Sequence, residues 1–185
     1  MTWGGAQHIP HMEQFGDIII GPLTAPVEIA GWPQQALYAC ELHHLQLPPT
    51  RLIVVPLDTR TPLAKAAAAA VRQIGAPVTL SGWLVPVDRA LASRPASVLE
   101  LDPTWFNLDP SGAEQGLAEL AGLACRRAPN QHKWHLVAVC QLFVRATASA
   151  AVWAGDSGQP VIIQSCWGLT EGLTGAFDHD TLVLE

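Results

Sequence analysis

The sequence predicts an α+β fold in which a central mixed or antiparallel sheet packs against two or three helices. Three observations predict it: short β-branched runs, two segments with helix-capping residues, and no internal repeat or low-complexity linker. The 185 residues, 49% hydrophobic and 14% charged, suffice for one substantial core. We therefore expect a single domain over 1–185, or one core with lobes at 16–130 and 131–185.

The first third of the chain alternates between strand and helix signals. Three consecutive isoleucines at 18–20 predict a short buried strand. Apolar residues at helical spacing after Pro33 predict a helix that ends before Pro48. The β-branched run that follows predicts a strand over 51–57.

Two later segments carry the clearest helix signals. Residues 62–74 are rich in alanine and follow Thr61, a suitable N-cap. Residues 112–127 follow Ser111, which forms a capping-box pattern with Glu114.

Further strands are predicted around and after these helices. They cover 78–87 and 97–101, interrupted by Gly82 and two prolines, and then 133–144, 160–166 and 181–184. Both alternating residue sets of 133–144 are largely apolar, so we expect this strand inside the sheet with both faces covered.

Charge and composition exclude several classes of function. A net charge of −6, with only two lysines, leaves no basic stripe for nucleic acid. Residues 1–20 do not resemble a signal peptide, and no window reaches the length of a membrane span, so no membrane partner is expected. Dispersed cysteines in apolar segments predict buried free thiols in a cytoplasmic protein: Cys40, Cys125, Cys140 and Cys166.

Several titratable residues fit structural roles better than catalytic ones. Two pairs of histidines are each separated by three positions, His8 with His11 and His132 with His135. No cluster of cysteines or carboxylates lies near either pair at the spacing of a zinc site. If His132 and His135 share a strand, they point to opposite faces. No serine or cysteine lies in a nucleophile motif. Carboxylates such as Asp109 are expected to act as turn and cap groups.

The most informative motif lies near the C-terminus, where an apolar strand at 160–166 runs into a glycine-rich turn with Gly168 and Glu171. The N–H groups of such a turn, together with a metal-bound carboxylate, can approach phosphates. The same pattern also fits a tight turn with a solvated Glu171, so the residues alone leave both interpretations open.

Residues 167–171, Trp-Gly-Leu-Thr-Glu, resemble the Gly-Leu-Gly-Glu turn that closes the ATP site in the ATP-grasp domain of phosphoenolpyruvate synthases, pyruvate phosphate dikinases and rifampicin phosphotransferases. Residues 139–144 are similar to that family's Val-Val-Gln-x-Met-Val strand. The specific part of the resemblance covers 134–184, with looser matches upstream.

The resemblance implies an ATP-grasp-like fold that binds ATP and Mg²⁺. It places adenine along the backbone of one short segment, formed by Gln141, Leu142, Phe143 and Val144. It also brings Gly168 close to the nucleotide. It implies Gln164 and Glu171 as the metal ligands.

Two departures from the family remove cations. The family's Gly-Gly-Lys is replaced by Ala-Gly-Trp-Pro at 30–33, and its Val-Arg-Ser-Ser strand by Val-Thr-Leu-Ser at 78–81. Phosphoryl transfer depends on positioned cations, so we expect binding without transfer. The chain also lacks the swivelling-histidine motif and the phosphoenolpyruvate barrel of a complete synthase.

Two functions follow as alternatives. In the first, a reduced ATP-grasp domain binds Mg-nucleotide, and a partner chain completes a split ATP-dependent phosphotransferase. In the second, a catalytically silent relative uses apolar surface, including some of its seven tryptophans, for self-association or for binding another protein. The retained Glu171 turn favours the first function, and the missing cations favour the second.

Overall fold

The structure is a computed structural model that describes residues 13–15, 17–22, 30–42, 47–57, 63–128, 130–154, 160–168 and 180–184. Within these ranges it is an α+β protein with four α-helices, a six-stranded antiparallel sheet and a three-stranded antiparallel sheet. The predicted α+β class and antiparallel sheet are therefore confirmed. The chain divides into two compact units, Met1–Phe143 and Val144–Glu185.

The first unit contains the larger sheet and the helices. Its elements in chain order are β1 (Glu13–Phe15), β2 (Ile18–Gly21), α1 (Gly31–Leu42), β3 (Thr50–Pro56), α2 (Leu63–Ile74), β4 (Val78–Pro86), α3 (Arg89–Ala92), β5 (Leu99–Leu108), α4 (Pro110–Arg127) and β6 (Trp134–Leu142). The strand order is β1-β2-β3-β6-β4-β5. The segments β3-α2-β4 and β5-α4-β6 are thus two interleaved split β-α-β units.

Strand β6 lies inside the sheet between β3 and β4, as its two apolar faces predict. On one face, Leu136, Ala138 and Cys140 join the core formed with α2 and α4. On the other face, Val137 and Val139 belong to a second buried cluster. Helices and loops therefore cover both faces, which explains why neither residue set of this strand is polar.

Small residues allow α4 to pack closely on the sheet. Gly82 lies in the middle of β4, and a Cβ there would lie 2.7 Å from Cδ2 of Leu120 on α4. The prediction that Gly82 interrupts the strand was wrong, because β4 continues through this glycine and its pairing with β6 is continuous. The pairing with β5 does shift register between Leu80 and Gly82, as is common at a glycine within a strand.

The start of α4 differs from the predicted capping box. The N-cap is Asp109, whose Oδ1 accepts a hydrogen bond from the Gly112 N–H at 2.7 Å. Ser111 lies in the first turn and donates its hydroxyl to the same oxygen at 2.9 Å. Pro110 explains the earlier start, since proline suits the first helical position. The expected capping role of Asp109 is confirmed, while Thr61 lies outside the described residues.

Strand β5 is longer than predicted, because residues 95–97 form a 3₁₀ turn and the strand then continues to Leu108. Its pairing with β4 extends to Val78 opposite Leu108. As an edge strand it tolerates Pro103, which cannot donate a backbone hydrogen bond.

The second unit contains β7 (Ala148–Ala154), β8 (Val161–Trp167) and β9 (Asp180–Leu184), paired in that order. The sequence predicted β8 and β9. It did not predict β7, whose alanine-rich run lacks a clear strand signal and is aligned by pairing with β8 along its whole length.

The four cysteines form no disulfide, although only Cys140 and Cys166 are buried, while Cys40 and Cys125 are half-buried. The expectation of four buried thiols was therefore half right. None of the described helices is long and apolar enough to cross a membrane.

Candidate functional site

Gln141 lies at the centre of a row of three polar side chains that crosses adjacent strands. It pairs with Thr50 on β3 and with Thr79 on β4, and we call these three residues the polar row. Directly paired residues of antiparallel strands share a face. Gln141 Nε2 donates to Thr50 Oγ1 at 3.0 Å, and the Thr50 hydroxyl donates to the Pro48 carbonyl at 2.7 Å.

The polar row is only partly covered. Thr50 is buried, whereas Gln141 and Thr79 are half-buried. Within the described part of the chain, Gln141 Oε1 has no hydrogen-bond partner. The row therefore presents an acceptor to a ligand and has a fixed amide orientation, since Nε2 is held by Thr50.

The backbone after Gln141 is engaged by neighbouring segments. The Leu142 N–H donates to the Pro49 carbonyl, and the Phe143 N–H donates to the Pro77 carbonyl, both at 2.9 Å. Neither of these N–H groups is therefore available to a ligand, and the expected backbone contact to adenine cannot use them. The Oε1 atom of Gln141 remains as a hydrogen-bond acceptor on this segment. Val144, the first residue of the second unit, is 50% exposed.

Arg51 does not supply a cation to the polar row. It pairs with Cys140 and lies on the opposite face, where its Nε donates to Oε1 of Gln73 on α2 and its Nη1 to the Thr50 carbonyl. Gln73 Nε2 in turn donates to Glu13 Oε1 at 2.8 Å. Burial lowers the pKa of Arg51. This arginine therefore links β3, α2 and β1 structurally.

The second unit contains two of the predicted site residues. Gln164 lies on the central strand β8, paired with Ala151 and Thr181. Gly168 follows β8 with φ of 89°, its N–H donates to the Thr147 carbonyl at 2.9 Å, and a Cβ there would contact nothing within 4 Å. Backbone conformation, and not crowding, therefore requires this glycine.

Glu171, the second predicted metal ligand, lies outside the described residues, as do His8 and His11. No group of three or more His, Cys, Asp or Glu side chains is placed to hold a metal ion in the described part of the chain. His132 lies in the 3₁₀ turn Gln131–Lys133 and His135 in β6. The two histidines do not share a strand, so strand alternation does not decide which way they point.

Sequence reasoning identified Gln141 but missed Thr50 and Thr79. Threonine is common in strands, so neither residue carries a local signal. Only the register of three strands brings them beside Gln141.

Neither the family models nor the curated proteins contain a match to this chain. The resemblance to the ATP-grasp domain therefore stays a prediction from the motifs.

Proposed function

We propose that this chain is a reduced ATP-grasp domain of the phosphoenolpyruvate synthase type that binds a Mg-nucleotide. The observation that carries the proposal is the half-buried Gln141 amide, oriented by Thr50 within the segment that the resemblance assigns to adenine. Adenine offers an exocyclic amino donor, and Gln141 Oε1 is a suitable acceptor.

The residues that would bind the phosphates of the nucleotide are those implied by the resemblance. Gln164 and Glu171 would hold Mg²⁺ through oxygen atoms, the ligand type that this ion prefers. The turn at Gly168 adopts a conformation that glycine permits and that other residues rarely adopt. Mg²⁺ would offset the repulsion between the Glu171 carboxylate and a polyphosphate.

Phosphoryl transfer by the chain alone is not part of the proposal. Where the family has its lysine and arginine, this chain has the uncharged segments Ala-Gly-Trp-Pro at 30–33 and Val-Thr-Leu-Ser at 78–81. Arg51 does not replace them, because it is hydrogen-bonded to Gln73 on the other face of the sheet. Without these cations the transition-state charge is unsupported. We expect no ATP turnover with pyruvate unless a partner chain supplies Lys and Arg and so completes a split phosphotransferase.

The test is a thermal-shift and calorimetric titration with Mg-ATP, since ligand that binds only the folded state raises the melting temperature. Gln141→Leu should weaken binding about tenfold, because one hydrogen bond to adenine contributes roughly 1 kcal/mol and its loss leaves a polar group unpaired. Gln115→Leu on the exposed surface of α4 is the matched control and should bind normally.

Glu171→Ala should also weaken Mg-ATP binding, without changing the melting temperature of the unliganded protein. A bulky residue at Gly168 should alter both, because its φ of 89° strains any side chain. An unchanged melting temperature at saturating Mg-ATP would reject the nucleotide proposal.

The second candidate function is self-association through the apolar face of the second unit. Directly paired Val152, Ile163 and Leu182 share a face across β7, β8 and β9. Val152 is 62% exposed, Leu182 54%, and Trp167, on the same face of β8, 84%. Exposed apolar patches mark interaction surfaces, and a second copy of the chain could bury these side chains against its own equivalent face. Asp180, paired with Ser165, is on the same face and lies at the end of β9.

Analytical ultracentrifugation tests this second candidate. Leu182→Lys should shift a dimer towards monomer, while Leu42→Lys on α1, a position 63% exposed, should leave the association unchanged. A chain that is monomeric at all concentrations would exclude self-association through this face.

A further inference from the structure

A cavity of about 730 Å³ lies in the first unit at the opposite end of β4 and β6 from the polar row. Pro86 pairs with Trp134 at this end, whereas Thr79 pairs with Gln141 at the other. The end of β4, the helix α3, the start of β5 and the start of β6 all contribute to the cavity wall. The cavity is therefore distinct from the proposed nucleotide segment.

Apolar side chains from separate elements form most of the wall. Val87 is 46% exposed, Leu91 41% and Leu99 44%, and Trp134 is half-buried beside them. Removing large aliphatic side chains from water lowers the free energy, and a ligand with an apolar body would cover Val87, Leu91 and Leu99 together.

The charged groups at the cavity are not equally available. Asp88 Oδ1 accepts hydrogen bonds from the Ala90 N–H at 2.9 Å and the Leu91 N–H at 3.2 Å, so this carboxylate oxygen is engaged in capping α3. The Lys133 carbonyl accepts from the Val87 N–H at 2.9 Å, which fixes the lysine backbone at the cavity wall. Within the described ranges, the Lys133 ammonium has no hydrogen-bond or ion-pair partner.

We propose that this cavity binds a monocarboxylate with an aliphatic or aromatic body. The apolar wall takes the body, and Lys133 pairs with the carboxylate. The volume lies inside the roughly 300–1,000 Å³ range of small-molecule sites. The cavity shares no residue with the proposed nucleotide site, so carboxylate binding here does not depend on nucleotide binding.

The two lysines of the chain, Lys65 and Lys133, give a direct readout. Reductive ¹³C-methylation keeps their charge and yields two lysine signals beside that of the N-terminus. Octanoate should shift the Lys133 signal and leave Lys65, which is exposed on α2, unchanged. Octylammonium at the same concentrations should produce no saturable shift, since its charge opposes that of Lys133.

Calorimetry on variants separates the two parts of the site. Lys133→Gln should weaken octanoate binding about fivefold, as expected for a partly solvated ion pair, and leave octanol binding unchanged. Lys65→Gln is the matched control and should bind octanoate normally. Leu91→Asp on the exposed side of α3 should abolish binding of both probes, and Leu99→Asn provides a second apolar variant if Leu91→Asp does not fold.

Equal binding of octanoate and octylammonium, or an octanoate affinity that Lys133→Gln leaves unchanged, would overturn the proposed carboxylate recognition. Absence of octanoate binding to the folded wild-type protein would overturn the site itself. A dimer that dissociates on Leu91→Asp, without octanoate binding, would show instead that a second copy covers this cavity.

Discussion

Gln141 and Thr50 are 91 positions apart in sequence, yet Gln141 Nε2 donates a hydrogen bond to Thr50 Oγ1 at 3.0 Å. The register of β3 against β6 places them directly opposite each other. Thr50 is buried and donates to the Pro48 carbonyl, so the threonine hydroxyl is satisfied as both donor and acceptor. The pair fixes the amide that we propose meets adenine.

Thr50→Val should destabilise the protein by about 1–3 kcal/mol, because it removes the acceptor of Gln141 Nε2 and the donor to Pro48. The double variant with Gln141→Leu should be less destabilised than the sum of the two single variants, because no amide is then left without its partner. Urea unfolding measures both. Strict additivity would show that the 3.0 Å contact contributes nothing.

Gly82→Ala should destabilise the first unit by about 1–3 kcal/mol, because the new Cβ overpacks against Leu120. Gly122→Ala is the matched control in α4, where a Cβ would meet only the tip of Arg126 at 3.4 Å. It should stabilise the protein by about 0.5–1 kcal/mol, since glycine costs helix entropy. Denaturant midpoints of the two variants should therefore move in opposite directions.

Asp109 should make stability depend on pH in the acid range. The Gly112 N–H, and then the Ser111 hydroxyl, lower its pKa from the ordinary 3.8. The Asp109 carboxyl binds a proton less tightly in the folded protein than in the unfolded chain. Its contribution to the free energy of unfolding is therefore fully present above pH 3.8 and is lost as the pH falls through the lower pKa of the folded state.

Thermal melts of wild type and Asp109→Asn check this dependence, since asparagine keeps an N-cap without the charge. The higher melting temperature of the wild type relative to Asp109→Asn should disappear at low pH. A difference in melting temperature that grows as the pH falls would contradict a lowered pKa for Asp109.

Cys140 should resist alkylation in the folded protein. Burial raises its pKa to about 12, so almost no thiolate, the reactive form, exists near neutral pH. Half-buried Cys40 should react with iodoacetamide well before Cys140, as peptide mass spectrometry can measure. In urea the two cysteines should label at similar rates, and early labelling of folded Cys140 would mean that the sheet opens there.

Several elements of the fold were predictable because their signals are local. The alanine run of α2 has high helix propensity, and the residues from Trp134 to Leu142 are apolar on both faces, which is typical of a strand covered on both sides. Gln141 was assigned from a motif, and its position on β6 agrees with the predicted strand.

Other features were misassigned because tertiary contacts compete with local patterns. Ser111 and Glu114 fit a capping box, but Asp109 followed by Pro110 starts the helix earlier. Gly82 was taken as a strand break, although it provides space for Leu120. Strand β7 carries little strand propensity and depends on pairing with β8.

Local patterns were enough to predict the α+β class, the helices after Thr61 and around Leu117, and the inner position of β6, because propensity and hydrophobic periodicity act over a few neighbouring residues. Three further features emerge only when the strands assemble: β6 lies between β3 and β4, Gln141 pairs with Thr50 and Thr79, and Lys133 lies beside an apolar cavity. These features depend on strand order and register, which long-range packing selects and which no local pattern encodes.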